Sequence, residues 1–181
     1  MYLASSIAMG LAFAAPSDPI AAEFERLKTV QLSRHGPSAV VLIDRETDGL
    51  TALVAYRVTS ADPEAASYWI IRKTTHAGQQ APAEIADSRN CSAVTPSLLE
   101  LERMPLPRLE ILARGAEIQS PPPRMGALHR RSFMWVRGWT ANNEPIGVSL
   151  DGLGASPALE WTAKVEAALA DCWNREGANP T

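Results

Sequence analysis

Cysteine is scarce in this chain: there are two in 181 residues, Cys91 and Cys172, and neither has a second cysteine or a histidine at ligand spacing. That argues against a thiolate metal site, and the lack of a C-x-x-C argues against a redox pair. A basic excess is also missing. Seventeen Lys and Arg against twenty Asp and Glu leave a net charge of −3, so nothing points to nucleic acid or to an acidic membrane surface. The three histidines, His35, His76 and His129, form no H-x-x-x-H or H-E-x-x-H spacing. They read as solvated side chains in loops or at strand edges, although any of them is a general base in principle. The serine-hydrolase elbow G-x-S-x-G is absent. Gly147-Val148-Ser149-Leu150-Asp151 approaches it, but Asp replaces the last Gly that close strand–helix packing requires. Asp44-x-Glu46-x-Asp48-Gly49 begins like a calcium loop, yet Ala55 stands where the bidentate Glu belongs. It reads as a charged hairpin turn. No metal and no cofactor are expected.

What is present says more about setting and build than about activity. The composition, 46% hydrophobic and 20% charged, is ordinary for a globular chain of about one domain. The stretch Leu3 to Ala15 is uncharged and apolar. It falls short of the ~20 residues a membrane-spanning helix needs. Ala12-Phe13-Ala14 fits the small-residue rule for signal peptidase, although only Met1-Tyr2 stand where a positive segment is usual. Residues 1–15 are therefore expected to be a signal peptide and 16–181 a single globular domain, periplasmic or secreted, with no stable membrane insertion after cleavage. In an oxidising compartment the two cysteines read as one disulfide. It would enclose about 80 residues and contribute about 4 kcal/mol through chain entropy.

The periodicity predicts an α+β fold. Asp18-Pro19 caps a helix to about Lys28, with Ile20, Phe24 and Leu27 on one face. Ala39–Ile43 and Leu50–Val58 form a hairpin, Tyr68–Thr74 is a third strand, and Ala83–Arg89 a short fourth before Cys91. Residues 76–82 read as a polar turn. Thr95-Pro96 starts a second helix that runs to Arg103. Leu109–Leu112 reads as extended and residues 115–128 as an exposed loop. Arg131–Thr140 and Pro145–Leu150 form a second hairpin, and Asp151–Gly154 a flexible link. Ser156-Pro157 caps a last helix to about Trp173, with Trp161, Val165, Ala168, Leu169 and Cys172 on its buried face. Short turns between strands favour a mainly antiparallel sheet with helices packed on one face and the C-terminal helix tied by the disulfide.

Two clusters are candidates for contact with a ligand. Phe133-x-Trp135-x-Arg137-x-Trp139 places four side chains on one strand face. Trp135, Arg137 and Trp139 would make a stacking platform for a sugar ring or a peptide. The alternative is core beneath a helix. Arg124, His129, Arg130, Arg131 and Arg137 form a basic stretch, with Arg72 and Lys73 as possible neighbours, suited to an anion or to a charged sheet edge.

Asp87-Ser88-Arg89-Asn90-Cys91, the Leu98-Leu99-x-Leu101 helix and Pro105-Leu106-Pro107 resemble small exported proteobacterial proteins without an assigned function. The resemblance implies a periplasmic setting and no activity. Three readings follow: a non-catalytic binding or accessory factor of the cell envelope, partnered by an envelope protein or glycan; an envelope hydrolase whose site is assembled from distant residues; and an inhibitor presenting the proline-rich loop 119–126.

Overall fold

The computed structural model describes residues 18–45, 49–59, 66–77, 79–80, 82–104, 131–139, 145–153 and 156–177. The expected signal residues 1–15, the extended Leu109–Leu112, the loop 119–126, Arg124, His129 and Arg130 lie outside them.

The first hairpin joins β1 (Ala39–Arg45) to β2 (Gly49–Val58). Its closing Gly49 has φ +74°, a left-handed conformation in which glycine carries no side-chain penalty. β3 (Tyr68–Ala77) pairs along the whole of β2 and continues past the turn expected at residue 76. The two-residue β4 (Gln79–Gln80) folds back on its end. Beyond β3 come β5 (Glu84–Asp87) and β8 (Asn174–Arg175). On the other side β6 (Arg131–Trp139) pairs with β1, and β7 (Pro145–Leu153) pairs with β6. The order is β7-β6-β1-β2-β3-β5-β8, antiparallel throughout. β7 runs through Asp151, Gly152 and Leu153, which were expected to be a flexible link. The ladder continues because Gly152 lets Ser132 and Ser156 approach: a β-carbon at Gly152 would lie 3.2 Å from the Ser132 hydroxyl and 3.3 Å from Ser156 Cβ.

The sheet is covered on both faces. α2 (Val94–Glu102) and α3 (Pro157–Ala168) lie on one face, over Val41, Ile43, Leu53, Ile71 and Met134. α1 (Pro19–Leu27) lies on the other, where Phe24 and Leu27 meet Val40, Leu42, Val54 and Phe133. The central strands are apolar at successive positions, so the pleat presents two apolar rows and each needs a cover. That is why a helix sits on each side rather than all on one.

The cap of α3 is as expected: Ser156 Oγ accepts the Leu159 N–H at 3.2 Å. α2 differs. It begins at Val94, one residue before Thr95, and Ala93 at the cap position offers no side-chain bond. Ser97 instead donates back to Ala93 O at 2.8 Å. α3 stops at Ala168 and a 3-10 turn, Ala170–Cys172, follows. Trp161, Val165 and Leu169 are buried as expected, but Ala168 is exposed and Thr162 takes a buried place. Cys172 bonds Cys91, with Cα atoms 5.8 Å apart. The bond ties the turn after β5 to the end of the last helix. It is consistent with an oxidising, non-cytoplasmic location. No helix among the described residues is long and apolar enough to cross a membrane.

α1 is anchored by one carboxylate. Asp18 accepts the Ile20 and Ala21 N–H groups at 2.9 and 3.3 Å and also the Arg131 guanidinium, which donates in turn to Asp151 at 2.8 Å. Partial desolvation pushes the Asp18 carboxyl up. The Ala21 N–H and the Arg131 bond outweigh it and hold the group below its usual range. A carboxylate with a depressed folded pKa stabilises above its unfolded value, and that support is lost as pH falls through the folded value. Acid should therefore loosen α1 before the sheet. Backbone hydrogen exchange of residues 20–27 should rise on acidification, and Asp18→Asn should remove most of the pH dependence. An unchanged profile in the variant would show that Asp18 is not the group responsible.

Candidate surface patch at the β6–β7 margin

The candidate strand face divides along β6. Phe133 is 5% exposed and packs against Phe24, ring centroids 5.1 Å apart, with the Arg131 guanidinium 4.5 Å from the Phe133 ring centre. It is core beneath α1. Two residues on, Trp135 is half-buried at the rim of that cluster. Its indole occupies the space above Gly147 of β7: a β-carbon there would lie 2.3 Å from Trp135 Nε1. Gly147 is thus a seat for the ring. Arg137, two residues further, is exposed, and its Nη1 reaches to within 3.8 Å of where a Gly36 β-carbon would stand. Ser149 pairs with Trp135 and Gly147 with Arg137, so small residues border the patch on the β7 side. Trp139 belongs to β6 and pairs with Pro145; its side chain is outside the described ones. On the opposite face Met134 is buried and Val136 half-buried against α2 and α3. An indole held on a sheet next to an exposed guanidinium, which has no ion pair among the described residues, suits a ligand with a flat apolar face and a nearby anion.

The described members of the basic stretch do not form a cluster. Arg131 is committed to Asp18 and Asp151. Arg72 and Lys73 lie on β3, separated from β6 by β1 and β2, and pair with Glu176 at 2.9 Å and Glu84 at 2.6 Å. The sequence suggested proximity, but the strand order prevents it.

Of the histidines, His35 closes a turn with Leu32, through backbone bonds of 3.0 and 2.9 Å. His76 has a buried Nε2 without a hydrogen-bond partner, 3.9 Å from a Glu23 oxygen. Glu23 is already engaged by Arg26 at 2.6 Å. That bond, more than partial desolvation, sets its carboxyl, which is held low. Tyr56 is a buried polar group that sequence reading passed over, since it sits within an apolar strand. Its hydroxyl has no partner, and burial pushes its pKa up.

Two clefts are formed by described residues. One of about 330 Å3 lies between α2 and α3, lined by Glu100, Arg103, Glu160, Trp161 and Lys164. The other, about 160 Å3 and apolar, is lined by Leu101, Met104, Met134, Val136 and Val148. Neither includes a histidine. Sequence offered no sign of them, because each needs a helix packed beside another element. Among the described residues no group of three or more His, Cys, Asp or Glu is placed to hold a metal. Gly147-Val148-Ser149-Leu150-Asp151 lies within β7 as strand. Comparison with protein-family models, with curated proteins and with solved structures finds no match to this chain.

Proposed function

We propose that this chain is exported as one domain beginning near residue 16, and acts in the cell envelope as a non-catalytic binding or accessory factor. The Trp135–Arg137 patch is its contact surface. The observation that carries this reading is the half-buried indole seated over Gly147 with an exposed guanidinium two residues away. A packed core residue needs no such neighbour, and a stacking platform with an anion anchor uses both. The ligand class is a sugar ring or peptide that adds a carboxylate to an apolar face. The Cys91–Cys172 bond supports the setting, since such bonds persist in oxidising compartments. The resemblance of the Asp87–Cys91 segment and the following helix to small exported proteobacterial proteins points the same way. The hydrolase reading would need a histidine and a carboxylate in one cleft, and His76 with Glu23 lies away from both clefts described above.

The test has two arms. Protein recovered from a bacterial envelope fraction should have lost its first 14 or 15 residues and gain 2 Da on reduction. Titration with an oligomer of carboxylate-bearing N-acetylated sugars should then quench or shift tryptophan fluorescence more than a neutral oligomer of equal length does. Trp135→Ala should weaken that binding by roughly thirtyfold, the scale of a tryptophan anchor. Arg137→Gln should erase the preference for the charged oligomer. Equal binding by parent and Trp135→Ala chains would remove the patch from consideration. A full-length chain with two free thiols would remove the envelope.

A further inference from the structure

The outer side of β7 is an unusual sheet margin. The strand has nine residues and stays in continuous register with β6 from Pro145 to Leu153, with no bulge. Among the described residues no strand pairs with its far side. It contains no lysine, its only proline is its first residue, and its only charge is Asp151, which Arg131 of the same chain already holds. Among the described residues the devices that usually blunt a sheet edge are missing. Ile146 and Val148 are 44% and 38% exposed, and they share a face with Leu150. The apolar cleft beside Val148 opens on that face.

The hydrogen-bond parity of the edge can be derived. Arg137 N–H donates to Ser38 O at 2.8 Å, so odd-numbered residues of β6 turn their backbone groups toward β1 and even-numbered ones toward β7. Val136 and Met134 then bond Val148 and Leu150, and the N–H and C=O groups of Gly147, Ser149 and Asp151 point outward. These groups form a ready ladder for one more antiparallel strand.

We propose that β7 pairs with β7 of a second copy of this chain, antiparallel about a two-fold axis at Val148. The register follows from the apolar row. Centred on Val148, Val148 meets its own copy, and Ile146 meets Leu150 of the second copy. Centred on Ser149, Ile146 would face Gly152; centred on Gly147, Leu150 would fall beyond the first residue of the second copy's β7. Only the Val148 axis sets all three apolar residues against one another. The charges agree with it. Asp151 falls opposite Pro145 of the second copy, so no like charges meet, and its outward N–H finds the proline carbonyl. Gly147 and Ser149 of one copy exchange backbone bonds with Ser149 and Gly147 of the other. The pairing extends the sheet across both copies and puts both candidate patches on one face. The row then reads Trp135, Ser149, Gly147 of the second copy, Arg137 of the second copy. An indole and a guanidinium stand at its ends, three strand spacings or roughly 14 Å apart, with small residues between.

The test uses the whole mature chain and no ligand, so its outcome is separate from that of the patch. Sedimentation or light scattering at tens of micromolar should give twice the chain mass. Val148→Lys should return the monomer mass, with circular dichroism and melting confirming that the variant is folded. In the near-isosteric Val148→Cys chain, mild oxidation should link the two copies at residue 148, since such a non-hydrogen-bonded pair brings Cα atoms to about 4.5 Å. Ile146→Cys alone should not link, whereas a mixture of Ile146→Cys and Leu150→Cys chains should form the mixed dimer. A monomeric parent chain overturns the proposal. So does a dimer that survives Val148→Lys and does not cross-link at 148, which would mean that another surface holds the copies together.

Discussion

Converting Cys91 and Cys172 to serine together should lower the unfolding free energy by about 4 kcal/mol, one of the two largest effects expected in this molecule. The bond spans a sequence separation of 81. In the chain-entropy description a loop of that length removes about 4 kcal/mol of unfolded-state freedom. For a chain of this size that corresponds to roughly 10 °C of melting temperature. The loss should be local before it is global. β8 is two residues long and its partner β5 four, so the C-terminal margin has little ladder of its own. Without the bond, hydrogen exchange at Glu84–Asp87 should approach that of open segments, while β1 and β2 remain protected. Denaturant unfolding of oxidised, reduced and double-serine chains measures the effect. A difference under 1 kcal/mol would mean that the bond holds a margin already fixed by packing.

The second large effect belongs to Trp161. It is almost fully buried on α3, and its indole N–H donates to Ser97 O of α2 at 2.8 Å. Thus it joins the two helices of that face by both packing and a bond. Trp161→Ala should cost roughly 3–5 kcal/mol, since buried tryptophan leaves a cavity that neighbours fill only in part. Trp161→Phe keeps much of the ring and loses the donor, so it should cost less, on the order of 1–2 kcal/mol. Urea midpoints with unchanged slopes would report this cleanly. If Phe proves as damaging as Ala, the bond to Ser97 matters more than the volume.

How much of this was legible depended on whether the deciding interaction was local. Asp18-Pro19 and Ser156-Pro157 marked two helix starts correctly, because a cap is an exchange between neighbours in sequence. The same logic failed at Thr95-Pro96. There the helix starts at Val94, two residues before the proline, and Val94, Leu98 and Leu101 are buried against the core. Asp151-Gly152-Leu153 looked like a link since glycine weakens strands, yet β6 supplies a partner at each position. Phe133, Trp135 and Arg137 were rightly placed on one face, but alternation says nothing about what covers it. The end of α1 near Phe24 decides that Phe133 is core and Trp135 is rim.

The sequence by itself indicated the three helices, the two hairpins and the α+β class, since turn chemistry and helical spacing need no distant partner; the pairing of Cys91 with Cys172 followed from it only together with an oxidising setting. Tertiary structure alone decided the strand order that parts Arg72 and Lys73 from β6, the second covered face, the clefts beside α2, and the β7 margin that no described strand pairs. Each of these is a relation between segments far apart in the chain. A residue's own neighbours carry no record of which distant surface will reach it, so only packing settles what is buried, what is paired and what is left to meet a partner.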